Sequence, residues 1–80
     1  MMTEEKKGSY SAWAVPSLRD IRWSKMWTQT DLAKRSGVSR TTIVRLENGE
    51  LAYAGTIRKL AKSLGVSVDA LLAQPAEEDE

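Results

Sequence analysis

Apolar residues recur every three or four positions in several short stretches of this chain, a period typical of amphipathic α-helices. The first stretch begins at Pro16 and Ser17, which suit a first helical position and an N-cap. Leu18 and Ile21 follow at helical spacing, which predicts a helix from about residue 16 to 26. No stretch predicts a β-strand.

The second stretch carries a complete set of helix boundaries. Thr28 and Asp31 are spaced as a capping box, in which each side chain accepts a hydrogen bond from the other residue's backbone amide. Trp27 and Leu32 occupy the two positions of a hydrophobic staple around that cap. Gly37 can adopt the left-handed conformation that ends helices, so the helix is predicted to end near residue 36.

The third stretch repeats this arrangement only two residues later. Ser39 is the predicted N-cap, Ile43 and Leu46 face inward, and Asn48 with Gly49 ends the helix. The outward positions are Arg40, Thr41, Val44 and Arg45.

Two more helices follow, and they complete the predicted organisation. The apolar positions of the fourth are Ile57, Leu60, Ala61 and Leu64. Gly65 ends that helix, Ser67 caps a short fifth helix, and Pro75 ends the ordered chain. The sequence therefore predicts an all-α, five-helix domain at 15–74, a flexible arm at 1–14 and a disordered acidic tail at 75–80.

The composition excludes most catalytic chemistry. The 80 residues contain no Cys and no His, so thiolate or imidazole metal sites, Cys nucleophiles and His-based proton transfer are ruled out. The acids are scattered, and we expect no enzyme, no cofactor, no metal and no small-molecule ligand. No apolar run is long enough to cross a membrane and no signal region begins the chain, so a soluble cytoplasmic, nucleoid-associated protein is expected.

The charge is distributed unevenly along the chain. Residues 15–74 hold ten Lys or Arg against five Asp or Glu, whereas 75–80 hold four acids and no base. A basic body with an acidic end is typical of a domain that binds a polyanion. An ordinary surface with this charge distribution by chance is the alternative.

The outward face of the third helix suits DNA. The major groove admits one helix, whose first turns contact base edges. A guanidinium fork, as on Arg40 or Arg45, matches the two acceptors of guanine, while Thr41 and Val44 offer methyl groups to thymine. These four residues are the predicted base contacts.

Phosphate contacts are expected from the helix N-termini. The first amides of the second helix, with Thr28 and Gln29, lie where a helix binds an anion, and Ser39 and Thr42 are placed similarly on the third. Thr28 and Ser39 are caps in either case.

Arg22 lies at the margin of the apolar face of the first helix, where a charge needs a partner. Glu47, near the end of the third helix, is the best candidate, and such a pair would hold the two helices together. Two independent surface charges are the alternative.

Residues 17–73 resemble the helix-turn-helix domain of the Cro/C1 (XRE) family of phage repressors and bacterial regulators. The similar segments are LRDIR at 18–22, TQTDLAKRSGVS at 28–39, IVRLENG at 43–49 and KLAKSLGVSVDALL at 59–72. The resemblance implies a compact, lambda-repressor-like five-helix bundle that binds double-stranded operator DNA, usually as a homodimer.

Position by position, the resemblance implies backbone contact and support of the recognition helix for Gln29. It also implies an approach to phosphate by the segment at Asn48 and Gly49. The residues that match base-reading positions are Arg40, Thr41 and Arg45, and the residues that match a buried ion pair are Arg22 and Glu47.

Two features depart from the family. The loop ELAYAG at 50–55 lacks the basic residues and Pro that are common in the family. We therefore expect a weaker contact with phosphate there, and Leu51 with Tyr53 is a candidate contact patch instead. Three Trp lie in the first 27 residues, either as an extension of the core or as a surface for another protein.

The leading hypothesis is a sequence-specific DNA-binding transcriptional regulator, a repressor of a phage, mobile element or bacterial operon. The alternative is a protein-interaction module or an antitoxin-like protein that binds a partner. The residues available for that role are Trp13, Trp23, Trp27 and Tyr53.

Overall fold

The computed structural model describes residues 11–75, which contain five α-helices and two short strands. In chain order these are β1 (Ala12–Trp13), α1 (Leu18–Ser24), α2 (Gln29–Ser36), α3 (Arg40–Glu47), β2 (Ala52–Tyr53), α4 (Ala54–Leu64) and α5 (Val68–Leu72). The prediction of a five-helix bundle is confirmed. Within residues 11–75, no helix combines the length and the apolar character that crossing a membrane requires.

Three helices begin at the caps that the sequence predicts. The Thr28 hydroxyl accepts from the Asp31 amide at 3.0 Å and the Asp31 carboxylate accepts from the Thr28 amide at 2.9 Å, which completes the capping box. Ser39 caps α3 and Ser67 caps α5. Gly37, which ends α2, has φ of 77°, so a residue with a Cβ would be strained there.

One apolar core holds the helices together. The side chains with essentially no exposure come from all five helices: Leu18, Leu32, Ile43, Ile57, Leu60, Leu64 and Leu71. Each such side chain contributes about 1.5–3 kcal/mol by leaving water, before the entropy of ordering is counted. Helix α2 packs on both α3 and α4. It therefore links α3 to the rest of the core, and this packing sets the orientation of α3.

The expectation that no segment forms a β-strand is wrong. β1 and β2 pair antiparallel, with Ala12 opposite Tyr53 and Trp13 opposite Ala52. Two-residue strands show no alternation for a sequence to reveal, and the partners lie some forty residues apart. Residues 12–13, predicted as part of the flexible arm, therefore lie in a ladder, while 1–10 and 76–80 fall outside the described residues.

The start of α1 also differs from the prediction. The Ser17 hydroxyl makes no capping bond and instead donates to the Ala73 carbonyl at 2.6 Å. Its ψ of 1° is a turn conformation, whereas a capping residue is usually extended. The helix is shorter than the predicted 16–26, and it ends before Met26, whose φ of 61° cannot continue it.

Substitutions at Ser17 distinguish a tertiary hydrogen bond from a cap. Ser17→Ala is expected to lower the free energy of unfolding by about 1 kcal/mol because the bond to Ala73 is lost. Ser17→Asp is expected to lower it further, since a carboxylate cannot donate and Ser17 is buried. Urea denaturation measures both values.

The matched control is Ser67→Asp at the cap of α5, which we expect to change stability by less than about 0.5 kcal/mol because Asp caps as well as Ser. Equal tolerance of Asp at both positions would show that Ser17 acts as an ordinary cap.

Candidate nucleic-acid interface

Helix α3 is buried along one side and exposed along the other. Ile43 is 0% exposed and Leu46 is 4% exposed, and they fix the helix against the core. On the opposite side lie the exposed residues Arg40, Thr41 and Arg45, with Val44 half-buried beside them. The structure thus brings the four predicted base-contacting residues onto one accessible surface.

Neither guanidinium group on this surface forms an ion pair with another of residues 11–75. The ion pairs formed among residues 11–75 join Glu47 to Arg22 and to Arg19, and neither involves Arg40 or Arg45. An unpaired guanidinium keeps all five N–H donors for a ligand. The surface therefore presents two forked donors with no internal competitor among the described residues.

The predicted phosphate-contacting hydroxyls differ in what they can still donate. Thr28 uses its oxygen as an acceptor in the capping box, so its O–H remains able to donate. Ser39 donates its only O–H to Thr42 at 3.0 Å. Because a phosphate oxygen only accepts, Thr28 and Thr42 are better placed than Ser39 to bind one.

Gln29 lies at the start of α2, and Asn48 lies at the end of α3. Gln29 is the first residue of α2, and its side-chain amide donates to Glu47 Oε1 at 3.0 Å, which leaves its second N–H available. Asn48 is the exposed C-cap of α3, and its backbone amide bonds back into that helix.

Arg22 and Glu47 form a buried, two-pronged ion pair between α1 and α3. Arg22 Nε lies 2.7 Å from Glu47 Oε2 and Nη2 lies 2.9 Å from Oε1. The side chains are 8% and 1% exposed. Parallel N–H···O bonds of this kind fix orientation as well as distance, so the pair sets how α1 meets the end of α3.

Three further contacts of this network were missed from the sequence. Arg22 Nη1 donates to the Trp27 carbonyl at 2.8 Å, Gln29 binds Glu47, and Arg19 lies 3.6 Å from Glu47. The spacing of Arg19 and Arg22 on one helix was a usable signal, since residues three apart are neighbours on a helix surface. No sequence pattern indicates the carbonyl contact.

The network keeps Glu47 ionised. Burial acts to raise the pKa of its carboxyl group, but hydrogen bonds from Arg22 and Gln29 and the nearby positive charges outweigh burial and hold the pKa below its ordinary value. The hydrogen bond to Glu47 correspondingly raises the pKa of Arg22. The pair is therefore charged at neutral pH.

The aromatic residues noted in the sequence lie in different environments. Trp27 packs partly against the core, and the Arg35 guanidinium lies 4.4 Å from its ring centroid. The large apolar side chains that remain exposed are Trp13, Trp23, Met26, Leu51 and Tyr53. Among residues 11–75, no cluster of three or more acids is placed to hold a metal ion.

The sequence model of helix-turn-helix proteins matches residues 18–71, which span α1 to α5 apart from its last residue. The chain belongs to the XRE-type helix-turn-helix family. In this family arrangement α2 and α3 are the two helices of the motif, and α3 occupies the position of the recognition helix.

The comparisons with a curated sequence and with a solved structure both match a hypothetical transcription factor from Neisseria. A hypothetical transcription factor of Neisseria meningitidis serogroup B is 36% identical over 62 residues, which are 76% of this chain and 58% of that protein. The crystal structure of the hypothetical transcription factor NHTF from Neisseria matches with a TM-score of 0.69 at 34% identity. That match covers 78% of this chain and 73% of the other.

Replacing Arg22 tests the ion pair. Arg22→Leu is expected to lower the free energy of unfolding by about 3–5 kcal/mol, because Glu47 would remain buried without its partner. Thermal and urea denaturation measure the loss, with the exposed Arg58→Leu as control. A melting temperature equal to that of the wild type would contradict the structural role of the pair.

The depressed pKa of Glu47 predicts the pH dependence of stability. A carboxyl group whose pKa is lower in the folded state than in the unfolded state stabilises the fold at pH values above its unfolded pKa, which is 4.5 here. That stabilisation is lost as the pH falls through the folded pKa. The stability difference between wild type and Glu47→Gln should therefore be largest near neutral pH and shrink below pH 4.5. Urea denaturation across this range measures it, and a pH-independent difference would contradict the assignment.

Proposed function

We propose that this protein is a sequence-specific regulator of transcription that binds double-stranded DNA and reads the major groove with α3. The observation that carries the proposal is the surface of Arg40, Thr41 and Arg45, exposed on a helix whose other side is fully buried. Membership of the helix-turn-helix family supports it, as does the similarity in sequence and structure to a hypothetical transcription factor from Neisseria.

In this proposal the exposed side chains have separate tasks. Arg40 and Arg45 bind guanine through paired hydrogen bonds, and Thr41 with Val44 contacts thymine methyl groups. Thr28, Gln29 and Thr42 bind phosphates and fix the register of the domain on the duplex. Asn48, exposed at the end of α3, binds a further phosphate through its side-chain amide. The Ser39 hydroxyl, which donates to Thr42, contacts a phosphate by exchanging that hydrogen bond. The residues for these contacts are those the sequence predicts.

We further propose that the protein binds as a homodimer on inverted half-sites and acts as a repressor. One α3 reads only a few base pairs, so a second copy one helical turn away raises both affinity and specificity. An apolar depression of about 180 Å³ lined by Trp13, Ile57, Val68 and Leu72 offers a surface for that copy. A protein bound at an operator can repress transcription by blocking the DNA, without contacting any other protein.

A protein-interaction role, as in an antitoxin, is the second candidate. The observation that favours it is the exposure of Trp23 and Tyr53, each 59% accessible. Large aromatic side chains at this exposure are typical of protein interfaces. The two roles differ in their response to salt, because only DNA binding releases many counterions.

Selection of duplexes from a random library, followed by binding measurements at several salt concentrations, tests the proposal. The wild type should bind a selected duplex with a steep negative salt slope. Arg40→Ala should reduce the preference for the selected over random DNA by about 1–3 kcal/mol. Gln29→Ala should weaken both duplexes evenly, since phosphate contacts carry no sequence information.

The matched control is Lys62→Ala, which removes an exposed cation from the last turn of α4 and should leave the preference unchanged. Two half-sites spaced about one helical turn apart in the selected sequences would support the homodimer. A flat salt response with no selected sequence would favour the protein-interaction role, and equal losses on both duplexes for Arg40→Ala would overturn its base-reading role.

A further inference from the structure

A second basic and aromatic surface lies on α1 and the turn that follows it. Arg19 and Trp23 lie four residues apart on one side of α1, and Met26 lies in the turn after the helix and lines the same depression. Their exposures are 57%, 59% and 82%. We propose that this stripe, from here the α1 stripe, binds the sugar-phosphate backbone of the DNA beside the recognition helix. The inference rests on the proposed function and extends it to a part of the surface that the helix-turn-helix itself does not include.

The position of the α1 stripe supports this assignment. Its three residues line one open depression of about 530 Å³ together with Thr28 and Gln29. Those two residues begin α2, the helix whose N-terminus is proposed to contact phosphate. The α1 stripe is therefore next to the proposed phosphate contacts, where a strand of DNA bound at Thr28 and Gln29 can extend onto it.

Arg19 supplies the charge for a phosphate contact. Both oxygens of Glu47 already accept hydrogen bonds at 3.0 Å or less, from Arg22 and Gln29. Arg19 lies farther away at 3.6 Å and is 57% exposed. Its guanidinium is therefore only loosely held and can turn outward to a phosphate without leaving Glu47 unpaired.

Trp23 and Met26 supply apolar contact. Met26 has φ of 61°, a left-handed conformation that is unfavourable for a residue with a side chain. This turn directs Met26 into solvent while Trp27 packs against the core. The exposed indole and thioether match the apolar faces of deoxyribose, which lie between successive phosphates.

The charges around the α1 stripe favour DNA over an apolar protein partner. Arg19 lies at one end, and the exposed Lys25, which precedes Met26 in the chain, has its Nζ 5.7 Å from the Trp27 ring centroid. Cations therefore lie beside the apolar surface, and they complement a polyanion.

The nearby acids are Asp20, Asp31 and Glu47. Glu47 is 1% exposed and paired with Arg22, and Asp31 accepts a hydrogen bond from the Thr28 amide. Asp20 is exposed next to Arg19 on α1.

The test compares variants of the full chain on one duplex selected with the wild type. Arg19→Gln should weaken binding about three- to tenfold near 0.1 M salt and reduce the magnitude of the log–log salt slope by about 0.9, the value for one phosphate contact. Arg19→Lys, which keeps the charge, should restore the slope. Trp23→Ala should weaken binding by a similar factor with little change in slope, because no charge is lost.

Lys62→Gln is the matched control, since it removes one exposed cation from the last turn of α4, which is part neither of the α1 stripe nor of the helix-turn-helix motif. A duplex with a neutral methylphosphonate replacing single backbone phosphates locates the contact. When the methylphosphonate replaces the phosphate that Arg19 binds, the wild type and Arg19→Gln should bind that duplex with equal affinity. Melting temperatures within a few degrees of the wild type ensure that each variant is folded.

The outcomes separate the two proposals. Steep salt-dependent binding by the wild type, with Arg19→Gln and Trp23→Ala indistinguishable from Lys62→Gln, would overturn the α1 stripe and leave the proposed function intact. A change confined to self-association in sedimentation experiments would assign the stripe to a second copy and likewise overturn the inference. If selection with the wild type yields no bound duplex, both the proposed function and the role of the α1 stripe are overturned.

Discussion

The carboxylate of Glu47 is the point on which the arrangement of this domain depends. It ends α3, and it accepts hydrogen bonds from Arg22 on α1 and Gln29 on α2 while being almost completely buried. A buried charge is tolerated only when it is paired and hydrogen-bonded. These hydrogen bonds therefore hold the three helices in one relative orientation. A shift of α1 or α2 against α3 would remove the bonds from Arg22 or from Gln29 to this carboxylate.

That constraint explains how a small domain can present a recognition surface of defined shape. The apolar core fixes α3 through Ile43 and Leu46, but apolar packing alone tolerates small rotations and slides. The bidentate pair with Arg22 is directional, so it adds an orientation that packing does not specify. Gln29 then links the start of α2 to the same carboxylate, which connects the proposed phosphate-contacting residues to the helix that reads the bases.

Burial and exposure divide the charged residues of the domain into two groups. Arg22 is used within the fold, whereas Arg40 and Arg45 make no ion pair among residues 11–75 and remain available for a ligand. Arg19 is intermediate, because it contacts the edge of the buried network while most of its side chain is in water. The proposed contribution of the α1 stripe follows from this intermediate position.

The sequence alone determined the features that depend on neighbouring residues. The caps at Thr28 and Ser39, the left-handed Gly37 and the inward face of α3 follow from hydrogen bonds and periods within a few positions, which a sequence displays directly. The partnership of Arg22 with Glu47 was also predicted, since a charge at an apolar margin requires an opposite charge and the family resemblance indicates the same one.

Only the tertiary structure decided the features that join distant residues. The hydroxyl of Ser17 binds Ala73 across the domain rather than capping its own helix, and Trp13 pairs with Ala52 in a ladder too short to show alternation. The position of Arg19 against Glu47 likewise depends on how α1 crosses α3. Local chemistry limits what each segment can form, but the packing of the whole chain selects among partners that are equally suitable in sequence.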